Sequence, residues 1–321
     1  MVSQRVLVTG GAGFIGSHLV DALITKGTNV CVFDNLSSGT LQNIKQWLDS
    51  PNFTLIKGDL LNPSDIKKLK QESYDLVFHL AANPEVRIGS TNPNIHFEQN
   101  LVATHNLLEH HRKTKNTPTL VFTSTSTIYG EPTKIPTPEN YAPLKPISTY
   151  GATKLASEAL ISAYAYTYGF KAIILRLANI AGPRSQHGVI HDFIQKLNKN
   201  PKELEILGDG TQTKSYLYII DCINAMLLTL QKSKEHVEIY NVGSEDQITV
   251  TEIAQTVTQE MGLKNVKFKL TGGVNGGRGW IGDVKNMLLD TNKLNSLGWK
   301  PELNSEQAIR KTVQHIISET L

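Results

Sequence analysis

The run Val6-Leu7-Val8-Thr9, followed by Gly10-Gly11-Ala12-Gly13-Phe14-Ile15-Gly16, limits the folds open to this chain more than any other feature. An apolar β-branched segment enters a glycine turn, and Ser17-His18-Leu19-Val20-Asp21-Ala22-Leu23 leaves it with helical spacing of its apolar residues. In a strand–turn–helix of this kind, Gly10 permits the tight turn and Gly13 lets the backbone approach a pyrophosphate. Gly16 allows close helix–strand packing, and the helix start at Phe14 and Ile15 offers backbone N–H groups to an anion. The glycine spacing is GxxGxxG rather than GxGxxG, so the flanking strand and helix carry the reading.

Short apolar runs recur between helix-like segments at Arg5–Val8, Asn29–Phe33, Phe53–Lys57, Leu76–Leu80, Thr119–Thr123 and Ala172–Leu177. This alternation predicts βαβ units and an α/β fold, a Rossmann-type doubly wound parallel sheet covered by helices on both faces. After Gly182, turns such as Gly208-Asp209-Gly210 and Gly276-Gly277 separate shorter elements. The expected division is a dinucleotide-binding domain over 1–180 and a smaller α/β C-terminal substrate-binding domain over 181–321, with segments able to cross back.

The 321 residues carry a formal charge of only +3, which gives no footprint for a polyanion, so nucleic acid is not an expected partner. No apolar stretch is long enough for a membrane span. Cys31 and Cys222 are far apart and belong to no ligand spacing, which predicts no metal and a reducing, cytoplasmic setting.

Asp34 ends the next strand, 18 residues after Gly16. Its carboxylate can accept hydrogen bonds from an adenosine ribose diol and would repel a 2′-phosphate, so NAD is favoured over NADP. An Asp that merely forms a turn before Asn35 is the competing reading. Asp59-Leu60 follows a third strand, where a carboxylate could meet the adenine amino group. Leu80-Ala81-Ala82 end the fourth strand with small residues that let a cofactor lie close to the backbone. Together these positions trace the carboxyl ends of successive strands, where open α/β sheets bind ligands.

The fifth strand delivers Ser124-Thr125-Ser126-Thr127, and Tyr150-Gly151-Ala152-Thr153-Lys154 opens a helix that continues through Tyr168. Tyr150 and Lys154 lie one turn apart on one helical face. An ammonium nearby should favour the phenolate and bring Tyr150 below the usual phenol pKa of about 10, toward the range of a general base. A Thr125 hydroxyl could share the substrate proton.

These segments, with Asp34-Asn35-Leu36-Ser37-Ser38-Gly39, Tyr129-Gly130 and Arg176…Asn179…Gly182-Pro183, resemble the extended short-chain dehydrogenases over essentially the whole chain. The resemblance is closest to the UDP-glucose 4-epimerase group of the NAD-dependent epimerase/dehydratase family. It implies Tyr150 as acid/base, Lys154 as the orienting cation and Thr125 as the third member. It also implies cofactor contacts from Asn35, Ser37, Ser38, Gly39, Asn100 and Ser124. Thr125 rather than Ser124 matches, standing four residues before Tyr129, although the family often has Ser there. Dehydratases and UDP-glucuronate decarboxylases of the family carry an acid two positions after this hydroxyl. Here that position is Thr127, so elimination lacks its acid.

On the substrate side the resemblance implies diphosphate contact from Asn179 and a substrate-facing helix start at Gly188-Val189. It also places Ile206 in the segment that flanks the uracil, and Arg278 and Asp283 against phosphate and ribose. Lys214 stands where the family usually has Arg, keeping the charge but losing the bidentate fork. Met287 falls where epimerases confined to non-acetylated sugars tend to carry Tyr; a core residue is the competing reading. His105, His110 and His111 read as a solvated or interface face of a helix over Asn100–Arg112. That helix and Lys154–Tyr168 match the pair forming an intersubunit four-helix bundle in the family, so a homodimer is expected. The implied activity is 4-epimerisation of UDP-glucose and UDP-galactose. UDP-N-acetylglucosamine, UDP-glucuronate and UDP-xylose stand as alternatives within enzymes, and a non-catalytic dinucleotide-sensing regulator as the alternative outside them.

Overall fold

A computed structural model describes residues 4–71 and 73–320. Seven strands form one sheet: β1 (Arg5–Thr9), β2 (Asn29–Asp34), β3 (Phe53–Lys57), β4 (Leu76–His79), β5 (Thr119–Thr125), β6 (Lys171–Leu177) and β7 (Val237–Val242). Their spatial order is β7-β6-β5-β4-β1-β2-β3, and the sheet is parallel. The order reverses between β1 and β4, the switch point at which such sheets bind ligands. Three helices carry or support the candidate site residues: α1 (Phe14–Thr25), α2 (Ala103–Thr114) and α3 (Thr149–Tyr168). A π-helical turn over Phe97–Val102 leads directly into α2.

The six strands expected from the sequence are present, but β5 runs two residues further, to Thr125. The seventh strand escaped the sequence reading. Val237-Glu238-Ile239-Tyr240-Asn241-Val242 places Glu238 and Asn241 among its apolar residues, so it lacks the continuous apolar run of a central strand.

The chain divides into two compact units, neither continuous in sequence. The first contains residues up to Thr125 with Thr149–Arg176 and Met226–Tyr240. The second contains Ser126–Ser148, Leu177–Ala225 and the chain from Asn241 onward.

In the first unit Leu7, Phe33, Val77, Phe122 and Ile174 project from the strands to meet Leu107 and Leu108 of α2 and Ile161 and Ala165 of α3. In the second, Asn179–Ala181 pairs with Tyr216–Tyr218, and Thr213–Lys214 lies between Ile248–Thr249 and Asn286–Met287. Glu203–Ile206 pairs with Lys267–Leu270. Helix Val250–Glu260 starts at a capping box in which Thr249 and Glu252 satisfy each other's backbone N–H.

Arg176 on β6 donates to both carboxylate oxygens of Glu158 on α3, and both side chains are only 4% exposed. Burial makes either charge costly alone. Glu158→Gln or Arg176→Met should therefore each cost about 3–5 kcal/mol. The double substitution should cost less than the sum of the two. Urea denaturation of all three variants checks this.

Candidate functional site

The glycine turn is as tight as its spacing implies. Gly10 has φ 71°, and a Cβ there would lie 2.7 Å from the Ala81 nitrogen; a Cβ on Gly16 would lie 2.1 Å from the Gly10 carbonyl oxygen. Gly13 is the N-cap of α1 and makes no side-chain cap, so the first-turn N–H groups around Phe14 and Ile15 remain available to an anion.

Asp34 is buried, and its two oxygens accept from the N–H groups of Ala12 (2.9 Å) and Leu36 (2.8 Å). Burial pushes its pKa up, and the two backbone bonds oppose that rise. The carboxylate forms the turn that the competing reading required and also ties it to the glycine loop. A carboxylate has about four acceptor sites, so capacity for a ribose diol remains.

Gly39 packs against Ala12, where a Cβ would fall 2.7 Å from the carbonyl carbon, and Ser37 and Ser38 are exposed. Asn35 accepts from the Ser37 N–H and donates to Asp59 (3.0 Å). The Leu60 side chain belongs to the core, which leaves only its backbone for a ligand. Asn100 is buried and accepts from the Asn83 N–H at 2.7 Å, fixing the loop that follows Leu80-Ala81-Ala82.

At the end of β5 the Ser124 hydroxyl is buried and has no hydrogen-bond partner. A buried orphan hydroxyl marks a place where a polar ligand group is missing. With the uncapped start of α1 and the available acceptors of Asp34, it fits a bound dinucleotide.

Beside it, Thr125 hydrogen-bonds to Tyr150 through the side chains. Lys154 donates to the Thr123 carbonyl at 2.7 Å, and its ammonium lies 4.5 Å from the centre of the Phe122 ring. The sequence expectation for the phenol is overturned here. Burial around the Tyr150 hydroxyl pushes its pKa up to about 12, although the ring keeps some exposure, and the Thr125 bond only partly opposes the rise. Lys154 cannot reverse this, because its ammonium is directed at a carbonyl and burial lowers its own pKa to about 7, against the raising effect of Glu158.

The second unit holds the residues read as substrate contacts. The Asn179 amide donates to the Ser215 carbonyl, and Gly188, at φ 90°, caps the helix that Val189 begins. Ile206 is fully buried, and its carbonyl accepts from the Thr271 N–H. Lys214 pairs with the buried Asp283 and lies over the Trp280 ring, while Arg278 pairs with Glu131. In this state each cation of the expected phosphate set is held by a carboxylate, and the second oxygen of Asp283 accepts from the Gly279 N–H. Met287 is buried and pairs with Lys214 across the strand ladder.

One other expectation changes. His110 and His111 are buried rather than solvated, and burial holds His111 neutral with a pKa of about 3; His105 alone of the three is exposed. Their spacing suggested an outer face, but α2 is covered along that edge. Glu85 and Arg87 form a local ion pair at 3.0 Å. Sequence reasoning missed His79, which bridges Thr9 (2.8 Å) and Thr104 (2.9 Å), and His96, which lies against Tyr150. No spacing links these residues, since each partner comes from a distant segment. Among the described residues no group of three or more His, Cys, Asp or Glu is placed to hold a metal ion, and no helix is long and apolar enough to cross a membrane.

The sequence profile of the NAD dependent epimerase/dehydratase family matches residues 6–243. A putative UDP-glucose 4-epimerase of Methanocaldococcus jannaschii is 35% identical, over 96% of this chain and 97% of that protein. The crystal structure of a UDP-galactose 4-epimerase superposes with a TM-score of 0.87 at 42% identity, covering 99% of this chain and all of the other. That of a Bacillus cereus UDP-glucuronic acid 4-epimerase, in complex with UDP-glucuronic acid and NAD, gives 0.87 at 31% identity over 98% and 100%.

The inverted titration order is open to direct measurement. Without dinucleotide, Tyr150 should contribute no phenolate at pH values near the ordinary phenol pKa of about 10. Adding NAD+, whose ring carries a positive charge, should bring its ionisation down. Ultraviolet difference titration of the native chain against Tyr150→Phe isolates this one tyrosine; an early-ionising phenol in the dinucleotide-free protein would contradict the burial argument.

Proposed function

Because the chain belongs to the NAD dependent epimerase/dehydratase family, we propose that it is an NAD-dependent isomerase that inverts C4 of a UDP-hexose, with UDP-glucose and UDP-galactose as the pair interconverted. The observation that carries this reading is the Thr125–Tyr150 hydrogen bond beside the unpartnered Ser124 hydroxyl, at the carboxyl end of β5. The relatives support the reaction type and span several UDP-sugars.

NAD, when bound, supplies the acceptor and later the donor of the C4 hydride. The protein handles the proton. Tyr150 takes it from the sugar 4-hydroxyl as a 4-keto sugar forms, and Thr125 shares the bond to that oxygen. Tyr150 then returns the proton once the opposite face of the sugar is presented, so no net redox change occurs. Lys154, with Glu158 raising its pKa, is the cation one helical turn from Tyr150, and its charge is not enough by itself to offset the burial of the phenol. Thr127, two positions after Thr125, offers no acid for eliminating water, which favours simple redox cycling over dehydration. Thr125, Tyr150 and Lys154 together also disfavour a non-catalytic sensor.

Gly10, Gly13, Gly16, Asp34 and Ser124 are our assignments for the dinucleotide. In the second unit, Asn179, Lys214 and Arg278 are those for the nucleotide diphosphate. A homodimer through α2 and α3 is part of the same reading, and Tyr166 on α3 is 72% exposed as an unpaired chain would leave it.

NMR of the purified protein with a panel of UDP-sugars tests the reaction: UDP-glucose should yield UDP-galactose. Tyr150→Phe should lower turnover by about 10²- to 10⁴-fold, the range that general acid/base catalysis supplies. An unchanged rate, free of host enzyme, would remove Tyr150 from the mechanism. Asp34→Ala should weaken NAD binding and relax discrimination against NADP.

A second reading of the sugar pocket rests on Met287. An unbranched thioether can repack around a ligand, so we expect some activity on UDP-N-acetylglucosamine. Met287→Tyr should remove that activity selectively. An equal loss on both sugar pairs would mark Met287 as a packing residue only, as its burial equally allows.

A further inference from the structure

His96 closes the short helix Pro93–His96 and is fully buried. Its Nε2 lies 3.1 Å from the Glu85 carbonyl oxygen and its Nδ1 2.9 Å from the Thr149 hydroxyl. A carbonyl oxygen only accepts, so Nε2 carries the proton; Nδ1 of the neutral ring must then accept, and Thr149 donates to it. Both ring nitrogens are satisfied in one tautomer. The hydroxyl proton of Thr149 is committed as well.

The ring has little room to move. A Cβ on Gly89 would lie 2.1 Å from the Thr149 hydroxyl and 2.7 Å from Nδ1, so the chain passes against this bond with no side chain. The Glu85 carboxylate caps the turn Val86–Ser90 by accepting from the Arg87 N–H, which fixes the carbonyl at the other end. Thr149 is the first residue of α3, and its own carbonyl accepts from Thr153. Tyr150 follows it directly, with its ring edge-to-face on His96 at 5.6 Å between centroids and 67° between planes.

We propose that His96 is a positioning residue for Tyr150, its imidazole held between the Glu85 carbonyl and the Thr149 hydroxyl so that the first turn of α3 and the plane of the Tyr150 ring are fixed. This rests on the assignment of Tyr150 as the proton-transfer group. Proton transfer from a sugar hydroxyl requires the phenol oxygen to stay within hydrogen-bond reach, and displacement by about 1 Å can cost about 10²-fold. The groups around Tyr150 are Thr125 on β5, Lys154 on its own helix, and the Glu85–Arg87 pair behind His96. Of these, the Thr125 bond opposes the effect of burial on the phenol. A loosened ring weakens that bond, so the phenol should ionise at higher pH.

The test compares His96→Phe, which keeps an aromatic edge but neither hydrogen bond, with Thr149→Val, which removes the same contact from the other side. Thr149→Ser and the double His96→Phe/Thr149→Val complete the set. Rates of UDP-sugar epimerisation are followed against pH. Each single variant should lower kcat by about 10- to 100-fold and leave KM within about twofold, with the acid limb moved to higher pH. Thr149→Ser should behave like the native chain, and the double should be no worse than the weaker single, because both remove one contact.

If His96→Phe folds poorly, as its melting temperature would reveal, Thr149→Val decides alone. Native kcat in Thr149→Val, or losses that multiply in the double with an unmoved acid limb, would overturn the proposal. A native chain that epimerises no UDP-sugar would sink the functional reading instead. His96 is then judged by ultraviolet titration of Tyr150 in the same variants, where an unshifted phenol counts against it.

Discussion

Backbone contact at the Gly10–Gly16 turn is the constraint on which the rest of the first unit depends. With no Cβ at Gly10, the turn lies against Ala81 at the end of β4; with none at Gly39, the loop after β2 closes over Ala12. Asp34, Thr40 and Asn43 then hydrogen-bond to the two backbone groups of Ala12, so the connection after β2 is fixed at three points to one residue. Thr9, the residue before Gly10, begins a polar chain through His79 and Thr104 to the Asn100 carbonyl. Ser157 of α3 donates to that same carbonyl. The turn that would receive a pyrophosphate is thus linked by continuous hydrogen bonds to the helix bearing Tyr150.

This chain of contacts explains which parts of the molecule could be read from sequence. The central strands announce themselves because they are apolar on both faces, and the edge strand β3 is legible through the apolar run in Phe53-Thr54-Leu55-Ile56. The glycine turn and Asp34 sit within one βαβ unit, and Tyr150 and Lys154 within one helical turn, so their spacing is local. The edge strand β7 carries Glu238 and Asn241 and has no such run. His79, His96 and the Glu158–Arg176 pair were illegible for another reason: each is defined by a partner 18 to 70 residues away. Local periodicity carries no information about pairs of that kind. His110 and His111 of α2 were misread because polarity suggests exposure, whereas burial suppresses the charge of a ring such as that of His111.

The carboxylates of the second unit bear on how its cations meet a ligand. Lys214 and Arg278 are not bare charges awaiting phosphate: one is paired with Asp283, the other with Glu131. Asp283 is 3% exposed, so removing Lys214 strands a buried charge, and a loss of ligand affinity on Lys214 substitution would mix pocket damage with a lost contact. Glu131 is 40% exposed and much less constrained. Exchange of Arg278 from Glu131 to a phosphate would therefore leave a solvated carboxylate behind, which is far cheaper than exposing Asp283 to the same loss.

The same accounting of charge applies to Tyr150 and Lys154. General-base work needs a phenolate beside an ammonium, yet burial drives the phenol up to about 12 and the lysine down to about 7, so both are pushed toward their neutral forms. Two opposing contacts are built into the protein: the Thr125 hydroxyl favours the phenolate, and Glu158 favours the ammonium. Arg176 donates to both oxygens of Glu158 at that depth. These contacts offset part of the burial penalty and leave the remainder in place. If Tyr150 is the base proposed above, charge brought into the site with a ligand would favour its phenolate against the effect of burial. That dependence would suit the proposed reaction, in which hydride leaves C4 as the proton leaves the 4-hydroxyl oxygen and both later return, since a base that is active only beside its hydride acceptor abstracts no proton without one.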